Sequence, residues 1–165
     1  MNRVSRPDDV FGLTPELLGQ RQVSAVILDR DGLLGHHEKP IEPAIASHVN
    51  DLIFDFPDTW FGIVTNGTGD TSPINANVVR TRPPFIKQVR PWLLRGLVKY
   101  PERSLYVTDS GSETIAATIA GYGTILYVRN KLTPHPSEQF LRSLRDPLSR
   151  PLGDFIWPPD PSESR

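Results

Sequence analysis

The chain alternates short, continuous apolar runs with stretches in which apolar residues recur every three or four positions. Ser24–Leu28, Trp60–Val64, Ser104–Thr108 and Thr124–Val128 have strand length and are largely apolar along their whole run. That pattern suits a strand buried on both faces. Ile45, Val49, Leu52 and Ile53 share one helical face, which predicts an amphipathic helix from Pro43 to about Phe54, ended before Pro57. Thr14, Pro15 and Glu16 read as a helix start: a capping hydroxyl, a proline at the first position and an acid at the positive end. Pro91–Val98, Ser112–Ala120 before Gly121, and Ser137–Arg145 also have helical spacing. Between Asn66 and Pro84, Gly, Thr, Asn, Asp and Pro predict a loop with at most a short helical turn near Asn75–Arg80. Phe85-Ile86 reads as a very short strand, and from Asp146 onward Pro and Ser predict an extended or disordered tail.

Strands alternating with helices imply β-α-β units and a mainly parallel sheet covered on both faces, an α/β, Rossmann-like three-layer sandwich. The expected division is an N-terminal extension over 1–12, one domain over 13–146 and a tail over 147–165. At 165 residues and 38% hydrophobic, the chain has material for one core and none for a second catalytic domain. Its 18 basic and 19 acidic residues give a net charge of -1, which disfavours a nucleic-acid partner. The absence of cysteine excludes disulfides, Cys-ligated metals and thiol catalysis, so any metal must sit on oxygen or imidazole. Met1–Asp9 has no apolar stretch like that of a signal or anchor, and the expected location is cytoplasmic.

Ligands of parallel α/β sheets bind outside the carboxyl ends of the strands. The sequence puts Asp29 and Asp31 there after the first buried run, Thr65 and Asn66 after the second, and Asp109 after the third. Asp29-Arg30-Asp31-Gly32 sets two carboxylates on one turn, costly without compensation. A divalent cation, a shared proton, or a nucleophile beside a general acid would each supply it.

A strand ending in Asp-x-Asp-Gly, a second ending in Thr65-Asn66-Gly67 and a third ending in Asp109-Ser110 together resemble the haloacid dehalogenase superfamily and its phosphatases. The likeness is closest to subfamily IIIA, the phosphatidylglycerophosphatase-like or YqeG-type capless group, and runs from about Leu13 to Leu144. Leu13–Leu18, Pro84-Phe85-Ile86, Arg90-Pro91 and Arg95-Gly96 select that group. The resemblance implies that Asp29 attacks phosphorus and that Asp31 protonates the leaving group. It also implies that Thr65 and Asn66 bind the phosphoryl oxygens, with Arg90 or Lys87 offsetting their charge. Mg²⁺ would be held by the Asp29 carboxylate, the Asp31 backbone carbonyl and Asp109, with Glu113 as the further acid. The implied substrate is a phosphomonoester, large or membrane-associated, for which a lipid phosphate such as phosphatidylglycerophosphate is an example.

The chain departs from the family pattern at four places. Leu33 stands where a small polar residue is usual, Arg90 replaces a lysine, Thr108 a glycine and Glu113 an aspartate. With the phosphatidylglycerophosphatase-like spacing the second acid falls on Thr114 and is lost. The alternative function is therefore a catalytically degenerate interaction module on the same fold. Other motifs carry less. His36-His37-Glu38 and His135 read as loop residues, Thr65–Asp70 lacks the lysine of a P-loop, and Trp60 and Trp92 read as core or helix-packing residues. The basic stretch from Arg129 to Arg150, with Phe140, Leu141 and Leu144, reads as a terminal helix on the sheet. A peripheral membrane contact is its second reading.

Overall fold

A computed structural model describes residues 3–35, 39–65, 69–80 and 90–128. Among them, strands β1 (Arg3–Ser5), β2 (Ala25–Asp29), β3 (Trp60–Thr65), β4 (Asn77–Arg80), β5 (Ser104–Thr108) and β6 (Thr124–Tyr127) form one sheet in the order β1-β6-β5-β2-β3-β4. Every pairing is parallel. Helices α1 (Pro15–Arg21), α2 (Pro43–Asp55), α3 (Pro91–Gly96) and α4 (Gly111–Ala120) lie between them.

The pleat sorts alternate strand residues to opposite faces. Val26, Leu28, Ile63, Leu105, Val107 and Leu126 join one apolar cluster with Leu18 of α1 and Ile45, Val49 and Leu52 of α2. Ile27, Val64, Tyr106 and Ile125 join the other with Leu94 of α3 and Ala116, Ala117 and Ala120 of α4. Burial on both sides explains the continuous apolar runs of β2 and β5. Small side chains on α4 pack against the sheet, and the Tyr122 hydroxyl donates to the Leu94 carbonyl at 2.8 Å, fastening the turn after α4 to α3.

Two local expectations are corrected, for Asn75–Arg80 and for Trp92, and one segment carries a strand that its sequence did not announce. Asn75–Arg80 contains the edge strand β4 and no helical turn, because Gly62–Thr65 of β3 offers Asn77–Arg80 a backbone ladder. Residues 3–5, part of the expected extension, add β1 to the open edge of β6. Trp92 does not pack in the core. It is 69% exposed, since Leu94 is the α3 residue that turns to the sheet. Phe85-Ile86, the Ser137–Arg145 helix, the tail and the basic stretch lie outside the described residues. Among those described, no helix is long and apolar enough to cross a membrane.

The chain winds from β2 through β3 to β4 on one side, then returns to β5 and β6 on the other side of β2. The carboxyl ends of β2 and β5 thus flank the point where the winding reverses, where such sheets leave a crevice.

Candidate functional site

Asp29 ends β2, and the Arg30 amide extends the pairing by donating to the Val64 carbonyl at 3.0 Å. The chain then folds back sharply. Leu34 and Gly35 amides donate to the Arg30 carbonyl, and the Gly32 amide donates to that of Gly35 at 2.9 Å. Gly32 takes φ 93°, a left-handed conformation that glycine adopts without strain. Leu33 and Leu34 are buried and anchor the loop, so Leu33 has an apolar structural role.

This turn buries Asp29 and Asp31, with the Asp31 amide 3.4 Å from Asp29 Oδ1. Asp31 receives two side-chain donors: Arg30 Nη1 to Oδ1 and the Thr65 hydroxyl to Oδ2, both at 2.9 Å. The sequence marked Thr65 as a phosphoryl binder, and its hydroxyl proton here is directed at Asp31. Arg30, which sequence reasoning passed over, is a fully buried cation.

On the β5 side, Asp109 follows the strand and Glu113 lies in the first turn of α4. Glu113 Oε2 accepts from the Thr108 hydroxyl at 2.7 Å and from the Tyr106 hydroxyl at 3.2 Å. Thr108 Oγ1 in turn accepts from the Ser110 amide at 3.0 Å. Burial pushes the Glu113 carboxyl up from 4.5 to about 7, and the neighbouring Asp109 charge adds to the rise. Hydrogen bonds with Thr108, Tyr106 and Asp29 act in the other direction. Burial, and then the Glu113 and Asp29 charges, push the Tyr106 hydroxyl well up, which keeps it a donor. The Asp29 carboxyl is close enough to act on Glu113 as well, so the ends of β2 and α4 carry acids that influence one another.

Five of the residues marked by the sequence, Asp29, Asp31, Thr65, Asp109 and Glu113, are thus buried at three neighbouring strand ends. Arg90 is the N-cap of α3, with its guanidinium carbon 5.8 Å from the centre of the Trp92 ring. Asn66, Lys87 and His36–Glu38 lie outside the described residues. Among the described residues, no three His, Asp or Glu side chains converge in a group that could hold a metal ion. Mg²⁺ does not demand one, since it commonly takes one or two carboxylates and keeps several waters. Asp29 and Asp109 fit that requirement by their donor chemistry, as all-oxygen ligands beyond adjacent strands.

Fold and site together define an α/β protein whose described sheet is all-parallel, with buried carboxylates at the strand ends that flank its reversal point. No family model and no curated protein matches the sequence.

Proposed function

We propose that this chain is a Mg²⁺-dependent phosphomonoester hydrolase of haloacid dehalogenase type, without a cap domain, working through an aspartyl-phosphate on Asp29. The observation that carries this reading is the burial of Asp29 and Asp31 on one turn at the reversal point, with Asp109 and Glu113 beyond the adjacent strand. The capless reading draws support from α2 as the one helix described between β2 and β3. Asp29 and Asp109, with the backbone carbonyl of Asp31, would hold the ion, which when bound supplies positive charge to the phosphoryl oxygens.

An Asp29 oxygen attacks phosphorus, the ester oxygen leaves, and Asp31 gives it a proton. Water deprotonated by Asp31 then attacks phosphorus, breaks the acyl phosphate and regenerates Asp29. Arg90 or Lys87 offsets charge on the transferring group. Glu113, whose carboxyl lies close enough to interact with Asp29, would orient the nucleophile. The substrate is a phosphomonoester that reaches an open site, large or presented at a membrane surface, with phosphatidylglycerophosphate as one example.

A second reading, a silent module that retains the fold, is favoured by one observation: the Thr65 hydroxyl and Arg30 both point at Asp31. Fluorine NMR with Mg²⁺ and beryllofluoride, a mimic of the phosphorylated aspartate, separates the two. A bound signal that needs Mg²⁺ and disappears in Asp29→Asn is the expected result. A folded protein with no bound signal would leave the silent module. Asp29→Asn is expected to abolish phosphate release while leaving the urea midpoint nearly unchanged, because amide and carboxylate have the same shape.

A further inference from the structure

Arginine is almost never fully buried unless it is paired, yet Arg30 is 0% exposed between the two aspartates of the turn. All three nitrogens of its guanidinium donate. Nη1 donates to Asp31 Oδ1 at 2.9 Å and Nη2 to the Lys39 and Asp70 carbonyls at 2.8 and 3.3 Å. Nε donates to the Asp70 carbonyl at 3.4 Å. The two carbonyls belong to different loops, one following β2 and one following β3. Gly69 completes the arrangement: a Cβ there would stand 2.1 Å from Arg30 Cζ, so the guanidinium plane lies directly against bare backbone.

A rigid planar fork reaches one carboxylate and two carbonyls together, whereas a lysine ammonium is a compact point donor on a flexible stem. The consequence falls on Asp31. With Oδ1 held by Arg30 and Oδ2 by Thr65, its carboxylate keeps one orientation.

We propose that Arg30 is a positioning residue, which fixes Asp31 at the strand ends and pins the Lys39 and Gly69–Asp70 loops against it. Its catalytic consequence rests on the hydrolase reading, in which Asp31 gives a proton to the leaving oxygen. A misplacement of about 1 Å in such a group costs on the order of 100-fold in rate.

The test compares Arg30→Met, Arg30→Lys and Gly69→Ala. Gly69→Ala displaces the guanidinium while leaving every charge in place, so it serves where Arg30→Met does not fold. Phosphate release with Mg²⁺ is followed on glycerol phosphate, whose alkoxide leaves only with a proton, and on p-nitrophenyl phosphate, whose leaving group needs none. The Asp31 carboxyl carbon is followed by NMR in parallel. For glycerol phosphate, kcat is expected to fall about 100-fold in Arg30→Lys and Gly69→Ala, with KM changed less than about threefold. The loss should shrink to a few-fold for p-nitrophenyl phosphate, a contrast that mere destabilisation would not produce. The Asp31 carboxyl signal should shift in every folded variant.

An unshifted Asp31 signal overturns the proposal, as does an equal loss or no loss on both esters in a wild type that turns over. A wild type that neither turns over nor binds beryllofluoride removes the hydrolase reading alone. The Asp31 signal in Gly69→Ala then decides the positioning role by itself.

Discussion

Thr108 and Glu113 meet in one hydrogen bond. The Thr108 hydroxyl donates to Glu113 Oε2 at 2.7 Å. The Glu113 side chain reaches both Thr108 and Tyr106, in a buried position where its carboxyl rises to about 7 from 4.5. A carboxyl whose pKa is raised by folding binds its proton more tightly in the native chain than in the unfolded one. Stability should therefore fall as pH rises from about 4.5 to about 7 and level off above, by on the order of 3 kcal/mol. Urea denaturation of the metal-free protein across that window checks the slope. Glu113→Gln should flatten it, and an undiminished slope in the variant would assign the effect to another group. The candidate acids were legible because buried apolar runs point to their own ends. Arg30 was not, because its backbone partners lie 9 and 40 residues away, where no local pattern records them.

Among the elements, those with an apolar core-facing surface were readable and those without one were not. β2, β3, β5 and β6 are buried along nearly their whole length, and the Ile45, Val49 and Leu52 stripe of α2 meets the core as its spacing predicted. β4 is exposed at three of its four positions and β1 is three residues long, so neither carries a hydrophobic signal; both owe their conformation to a neighbouring strand. Helix ends were readable through their chemistry. Thr14 accepts from the Leu17 amide at 3.3 Å, and Thr14→Ala should cost about 1 kcal/mol by thermal unfolding. Gly121 closes α4 at φ 92°, and among the described residues the one atom within 4 Å of a Cβ placed there is Arg95 Nη1 at 3.7 Å. Gly121→Ala is therefore opposed by backbone strain and not by crowding, and should destabilise by about 1 kcal/mol. A neutral result would show that the α4 C-terminus relaxes out of the left-handed conformation.

Across the described residues, the proposed chemistry sits at the centre of the sheet and the short strands β1 and β4 at its edges. The reversal between β2 and β5 joins the two halves, and both strands have a paired neighbour on each side. β1 is held by a three-residue parallel register, with Arg3, Val4 and Ser5 opposite Thr124, Ile125 and Leu126, and Val4 packs against the Tyr106 cluster. Local opening should follow that gradient, since few buried contacts and short ladders mark the low-stability end of a fold. Deleting residues 1–6 would expose the β6 edge, so amide hydrogen exchange should quicken across Thr124–Tyr127 while Ala25–Asp29 keeps its protection. Beryllofluoride binding at Asp29 should survive the deletion, because β5 still lies between β6 and β2. Exchange quickening equally in β2 and β6 would instead make the sheet one cooperative unit, in which the edge strand supports the strand ends that carry the carboxylates.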